Sequence, residues 1–289
     1  MSAEPASLET RESPFAARRH RAEALRDRHS FAAEVLTLYV ALLAVHEDAW
    51  DAARGSPPDP QQLPHWAGSR VVPAVIEATL AAGPPALRES VRSRPPEAHH
   101  EALVGWLADA ELAPVDRYLA RASLAPVLEA LGERAGAACA RRREPEEGSS
   151  CPRCGGPPQL SCLASSGESL VSGPRSLLCA RCASSWSWSR SVCPACGESE
   201  EAQLSVYAER LEGPVVPGNG RADGDADGRP VFPHLRIAGC ATCARYLIEV
   251  DLARDARAVP EVDELAALPL DLYAAEQGLR KITPNLMGF

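Results

Sequence analysis

Apolar positions in the first half of the chain recur at helical spacing. Between residues 15 and 54, Leu25, Phe31, Val35, Leu38, Leu42 and Val45 fall at steps of three, four or six and mark one apolar stripe. That stripe predicts a helix ended by Gly55-Ser56-Pro57-Pro58-Asp59-Pro60. Further helices are predicted over residues 72–82, 84–93, 97–110 and 114–143. Gly83-Pro84-Pro85 and Pro95-Pro96 stop one helix and start the next. No alternating strand pattern interrupts this half. Residues 15–143 therefore read as an all-helical domain behind a polar tail, 1–14, expected to be disordered.

Residues 144–150, charged and then small, read as a linker. Beyond it the texture changes to short segments, and Trp186 and Trp188 alternate with serine as on a hairpin-like strand with one aromatic face. Such a face would cover a domain with little other core. Near the C-terminus the pattern predicts a short helix, a restart at Pro269 and a second helix stopped by Gly278. The acidic residues there are expected on a solvated face.

The 289 residues are enough for two domains, and 45% hydrophobic with 24% charged residues describes a globular chain. The longest apolar run, 38–45, is far shorter than a bilayer span, so no membrane insertion is expected. Arg18-Arg19 has no apolar stretch directly behind it and does not read as an export signal. A cytoplasmic location is expected, where ten cysteines stay reduced and serve as metal ligands rather than disulfides. Net charge is −9, and residues 151–289 hold 13 basic against 17 acidic side chains. Neutralising phosphates needs a basic surface, so a nucleic-acid partner is disfavoured.

Eight of the ten cysteines form four Cys-x-x-Cys pairs: Cys151/Cys154, Cys179/Cys182, Cys193/Cys196 and Cys240/Cys243. Each turn of this kind presents two sulfurs on one side of a tight loop, two corners of a tetrahedral site. Four turns make two four-cysteine sites. The first and third share Cys-Pro-x-Cys-Gly, in which proline presets φ and glycine can turn left-handed so that N–H groups point at the thiolates; the other two lack both residues. Zinc-ribbon and rubredoxin-like sites join turns carried on neighbouring hairpins. The expected ligands are therefore Cys151, Cys154, Cys179 and Cys182 for site one, and Cys193, Cys196, Cys240 and Cys243 for site two. Interleaved pairing, first turn with third and second with fourth, stays open on spacing. Four thiolates suit iron and zinc about equally, so the cofactor is two ions of iron or zinc. The fold class expected is α+β, an all-helical domain followed by tandem rubredoxin-like or zinc-ribbon modules over 151–289 with a short helical tail.

Other features carry blander readings. His99-His100 has no third ligand in view and reads as a solvated pair. Cys139 and Cys162 read as buried small residues, and Trp50, Trp66 and Trp106 as packing. Asp223-Gly224-Asp225-Ala226-Asp227-Gly228 imitates the opening of an EF-hand loop. The twelfth position is His234 rather than glutamate, so an insertion without calcium is expected.

The order and spacing of these motifs resemble a known family. Cys151-Pro152-x-Cys154-Gly155-x-Pro157 is followed by Leu178-Cys179-x-x-Cys182-x-x-x-Trp186-x-x-x-Arg190-x-x-Cys193-x-x-Cys196-Gly197. Then come Cys240-x-x-Cys243-x-x-Tyr246-Leu247, Pro260-x-x-Asp263-x-Leu265, Leu270-Asp271 and Asn285. Over residues 151–289 this is similar to the formate dehydrogenase accessory protein FdhE family. It departs at Ile248, where the family usually has lysine, and in the length of the loop over 213–233. The resemblance implies a cytoplasmic, non-enzymatic maturation factor. It would engage the catalytic subunit of formate dehydrogenase, a molybdenum or tungsten selenoprotein or its cysteine counterpart, before export or assembly. It also implies iron in rubredoxin-like sites. The competing reading is a redox protein whose iron centre passes one electron to the client. A third, dithiol catalysis, wants a thiol at a helix N-terminus after a strand. Oligomeric state is left between a monomer and a weak homodimer.

Overall fold

The computed structural model describes residues 13–140, 148–164, 173–209 and 230–288. Residues 1–12 of the expected tail 1–14, most of the linker and the EF-hand-like segment 223–228 lie outside the described residues, while Ser13 is placed and donates to Glu47 at 2.8 Å.

The helical half holds α1 (Phe15–Arg28), α2 (Ala33–Gly55), α3 (Leu63–Arg70), α4 (Val72–Ala82), α5 (Pro85–Arg92), α6 (Pro96–Leu107) and α7 (Pro114–Leu131). Proline stands in the first turn of α3 to α7, where its missing N–H has no partner to lose. The single helix expected over 15–54 is two. His29 takes an extended conformation, φ −120° and ψ 94°, and the chain folds back so that α1 packs on α2. No glycine or proline marks that break. Its cause is tertiary, because the His29 ring packs 4.9 Å from Phe232 and 5.5 Å from Phe31. The last expected helix also ends early, at Gly132 with φ +56°, and continues as a 3-10 stretch to Ala138.

The stretch Ser30–Gly55 is long and apolar enough to cross a membrane by length and composition. Its apolar face is instead committed to the core. Leu36, Leu38, Leu42 and Leu43 are fully buried, and α2 packs against α1, α4 and α7.

The second half is built on one seven-stranded sheet. Its strands are β1 (Pro158–Leu163), β2 (Arg175–Cys179), β3 (Ser185–Ser187), β4 (Leu204–Tyr207), β5 (Leu235–Cys240), β6 (Arg245–Asp251) and β7 (Arg280–Lys281). The order β3-β2-β1-β6-β5-β4 contains two antiparallel meanders, β1–β3 and β4–β6. They are joined by the parallel pairing of β1 with β6, Ser161 opposite Glu249, while β7 adds alongside β6. The two expected modules thus share a continuous sheet. The strands at the seam are buried along almost their whole length, whereas β2 alternates buried and half-buried, as an outer strand with one wet face does.

Two helices follow, α8 (Pro260–Ala266) and α9 (Leu268–Glu276), ended by Gly278 at φ +75°. Here the structure corrects the expectation of a solvated acidic face. Asp263 and Glu264 are fully buried and Asp271 nearly so. Helix α8 lies against α1, α2, β1 and β6, which puts its carboxylates between the two halves of the chain. Arg21 on α1 donates to Asp263 (3.0 Å) and Asp255 (2.9 Å), and His234 pairs with Asp263 at 2.7 Å. Arg18 reaches Glu129 and Glu261 at 2.9 and 2.6 Å. Buried carboxylates are tolerable because each meets a cation or a hydrogen-bond donor. A spacing argument sees none of those partners.

Both halves also share apolar cores. One cluster joins Leu103, Trp106, Leu119 and Leu128 with Cys151, Cys154, Cys179 and Cys182. Another joins Phe15, Leu36 and Leu43 with Leu160, Ile237, Ile248 and Leu265. Ile248, the departure from the family pattern, is therefore a core residue.

Candidate metal centres

The four Cys turns sit at equivalent places in the two meanders. Cys151 and Cys154 precede β1, and Cys193 and Cys196 precede β4. Cys179 ends β2 with Cys182 in the turn to β3, while Cys240 ends β5 with Cys243 in the turn to β6. Each meander folds its leading turn over its own hairpin. The sulfurs of Cys151, Cys154, Cys179 and Cys182 lie within 4.8 Å of one another, as do those of Cys193, Cys196, Cys240 and Cys243. This is sequential rather than interleaved grouping. All ten cysteines are free of disulfides.

The backbone of each turn explains how the sulfurs converge. Gly155 and Gly197 adopt φ +70° and +79°, and their N–H groups donate to the carbonyls of Cys151 and Cys193 at 2.8 and 2.9 Å. The turns without glycine take the same left-handed step with a methyl side chain, Ala183 at φ +54° and Ala244 at +52°. Backbone N–H groups also face sulfur, Arg181 to Cys179 at 3.3 Å and Ala195 to Cys193 at 3.4 Å. Gly156 leaves the room site one needs. A Cβ there would stand 3.1 Å from the Cys179 sulfur and 2.9 Å from Cδ of Arg181.

The donor sets fit a tetrahedral ion. With metal–sulfur bonds of ~2.3 Å, tetrahedral sulfurs stand about 3.8 Å apart. The sulfur–sulfur distances are 3.7 Å for Cys151–Cys182 and 3.4 Å for Cys154–Cys179. They are 3.8 Å for both Cys193–Cys243 and Cys196–Cys240. Among the described residues these two clusters are the groups suited to a metal, and His99-His100 is in neither. No Cys turn opens an α-helix, since strands or a 3-10 turn follow them, so the dithiol-catalyst reading lacks its structural context.

The two sites differ in surroundings. Site one is buried at all four cysteines, whereas Cys196 and Cys243 of site two are half-exposed. Trp186 packs on the core cluster that contains site one, and its Nε1 donates to the Gly148 carbonyl at 2.9 Å. Arg181, fully buried inside the second turn of site one, donates to the Ala140 carbonyl at 3.0 Å and to Asp109 at 2.8 Å. Its guanidinium lies 5.9 Å from the centre of the Trp106 ring.

Protons are shared unequally among the metal-free thiols. Hydrogen bonds from Cys139, then from Cys151 and Cys179, hold the Cys154 thiol down to about 4, while burial raises Cys179. In site two, burial pushes Cys193 up to about 11 and raises Cys243. An ion taking all four sulfurs as thiolates would displace the protons of the raised groups. Cys139 was expected to be a plain packing residue, yet its thiol reaches Cys154 at the edge of site one. It stands outside the Cys-x-x-Cys pattern, and no spacing rule could have found it. Cys162 is the expected buried thiol, pushed up to about 12 by burial.

No family model matches the chain. It is 30% identical over 139 residues to a protein FdhE homolog of Aquifex aeolicus and 33% identical over 146 residues to one of Pseudomonas aeruginosa. Those stretches cover 48% and 50% of this chain but only 41% of each relative, so the match spans about two fifths of their length. The crystal structure of the FdhE protein from Pseudomonas aeruginosa superposes with a TM-score of 0.61 at 23% identity, covering 94% of both chains. The chain is thus similar in sequence to FdhE homologs over about half its length and shares the fold of the FdhE crystal structure over nearly all of it.

Proposed function

We propose that this chain is an accessory factor for formate dehydrogenase, acting without catalysis of its own. In this reading it binds the enzyme's catalytic subunit in the cytoplasm during maturation, through a surface braced by two ions of iron or zinc. Cys151, Cys154, Cys179 and Cys182 would hold one ion, and Cys193, Cys196, Cys240 and Cys243 the other. The observation that carries the reading is that two closed four-sulfur clusters assemble on one sheet of a chain related to FdhE. Four protein ligands leave no open coordination position, the arrangement of structural rather than catalytic metal. Bound there, an ion supplies folding free energy to a small sheet whose turns otherwise have little to hold them. Site one stiffens the seam with the helices, and site two stiffens the outer meander.

The test is co-purification of the anaerobically isolated chain with the formate dehydrogenase catalytic subunit, together with metal analysis. Association that survives when both sites hold only zinc supports bracing. Association with activation of the client only when iron is present, at equal occupancy, would instead favour electron transfer, because zinc has no second oxidation state to use. Absence of any complex would overturn the accessory reading.

A further inference from the structure

In an otherwise acidic protein, four arginines converge on one cavity beside site two. The cavity has a volume of about 180 Å³ and is walled by Arg175, Arg190, Arg236 and Arg245, with Glu249 as its one carboxylate. Cys193 and Cys240 form part of the same wall. Exposure grades across the group. Arg175 is buried, Arg236 and Arg245 are half-buried and Arg190 is exposed, so the cationic wall runs from interior to surface.

The carboxylates do not match the guanidinium groups. Glu249 stands 3.4 Å from Arg175, and Asp251 takes a hydrogen bond from Arg236 at 2.6 Å while also pairing with Arg254 at 3.3 Å. Arg190 and Arg245 donate only to the carbonyls of Gly173 and Lys281, and no carboxylate of the described residues pairs with either. Nε of Arg175, on a side chain that is 95% buried, faces Glu249 Oε2 at 3.4 Å as an ion pair but makes no hydrogen bond among the described residues. A guanidinium at such depth, held at Nε by one long ion pair and no hydrogen bond, costs free energy unless something completes it.

We propose that this cavity binds a small dianionic oxyanion, a phosphoryl group either free or carried on a small monoester. Two guanidinium charges without carboxylate partners match two negative charges. The planar fork of arginine matches phosphoryl oxygens in pairs, which a lysine would not do. At ~30 Å³ per water, the cavity holds the equivalent of about six waters, room for one such group and its remaining hydration. The site does not depend on what the metal centres do. The competing role for the arginines is counter-charge to the thiolates of site two, since a divalent ion with four thiolates carries two negative charges.

The experiment titrates the full chain, with both sites loaded, with inorganic phosphate at constant ionic strength, by calorimetry and phosphorus NMR. Glycerol 3-phosphate and acetate form the other arms. The expected result is saturable one-to-one phosphate binding that weakens about tenfold or more in Arg190→Gln and in Arg245→Gln. Arg92→Gln on α5 should leave it unchanged, and the metal content should stay at two ions per chain, one of them in site two, in all three. Tighter binding of glycerol 3-phosphate would assign the group to a larger ligand, and tighter binding of phosphate to the free ion. No saturable binding, equal binding of acetate, or unchanged affinity in both cavity variants would overturn the proposal. Loss of site-two metal in Arg190→Gln without phosphate binding by the parent chain would also overturn it, in favour of the counter-charge role.

Discussion

Arg181, set between two cysteines of site one, donates through Nη2 to Asp109 beyond the end of α6 at 2.8 Å. The same guanidinium caps the Ala140 carbonyl, so one side chain ties the metal turn to both ends of the chain segment that closes the helical half. Its side chain is 1% exposed while that of Asp109 is 35% exposed. Removing the arginine therefore strands a carbonyl and opens a cavity, more than it strands a charge. Arg181→Ala should cost about 2–3 kcal/mol. Urea unfolding of the metal-loaded protein checks this. A variant that unfolds in two separated steps would show in addition that Arg181 couples the halves.

The two metal sites should respond differently to loss of a ligand. Cys154 belongs to the core cluster that includes Leu103, Leu119 and Leu128, whereas site two lies on the outer meander with two half-exposed sulfurs. Replacing Cys193 by serine should remove one of two ions and loosen β4 and β5 while the helices persist. Cys154→Ser should instead lower the melting temperature of the whole chain, because its ion and its packing are shared with the helices. Metal analysis beside calorimetry distinguishes them, and equal effects on the global transition would contradict this asymmetry.

The metal clusters were legible because Cys-x-x-Cys is a local device: spacing alone puts two sulfurs on one turn. The helical half was legible for a similar reason, since periodicity and proline reveal helix ends. What stayed hidden depends on distant partners. The break at His29 rests on Phe232, the burial of Asp263 on Arg21, and the edge position of Cys139 on a turn beyond the linker. None of these leaves a mark within ten residues. The parallel pairing of β1 with β6 that fuses two modules into one sheet is of the same kind.

Ala183 and Ala244 hold positive φ where the other two Cys turns have glycine. A Cβ in the left-handed region costs roughly 1–2 kcal/mol relative to its ordinary conformation. Glycine relieves that strain but frees the unfolded chain, which offsets part of the gain. Ala183→Gly and Ala244→Gly should each stabilise the metal-loaded protein by about 0.5–1 kcal/mol. A lower denaturation midpoint in either variant would mean that the methyl group packs better than its backbone strain costs.

His46 gives stability a pH dependence in mild acid. Burial first, then the nearby Arg18 charge, lower its pKa from 6.5 to about 4. The unfolded chain therefore binds the proton more readily than the folded one. The neutral imidazole's contribution is complete above pH 6.5 and is lost as pH falls towards 4. With 2.5 units between the states, that loss is about 3 kcal/mol. His46→Met should flatten the stability profile across this window, as read by denaturation at closely spaced pH values.

Lys281 is the chain's one lysine, and it is buried between two carboxylates, 2.9 Å from Glu264 and 3.0 Å from Asp271. Tyr246 donates to Asp271 at 2.8 Å, and Gln159 links Glu264 to Arg121 on α7. Lys281→Met leaves two buried acids with one cation fewer and should cost about 3–5 kcal/mol at neutral pH. Burial already raises the pKa of Glu264, and loss of the ammonium raises it further. A protonated Glu264 is cheaper to bury than an ionised one, so the penalty should shrink as pH falls. Adding Glu264→Gln to Lys281→Met should recover part of the loss, because the amide keeps a bond to Gln159 without a charge. A double variant no more stable than the single one would show that Asp271, rather than Glu264, is the partner the lysine serves.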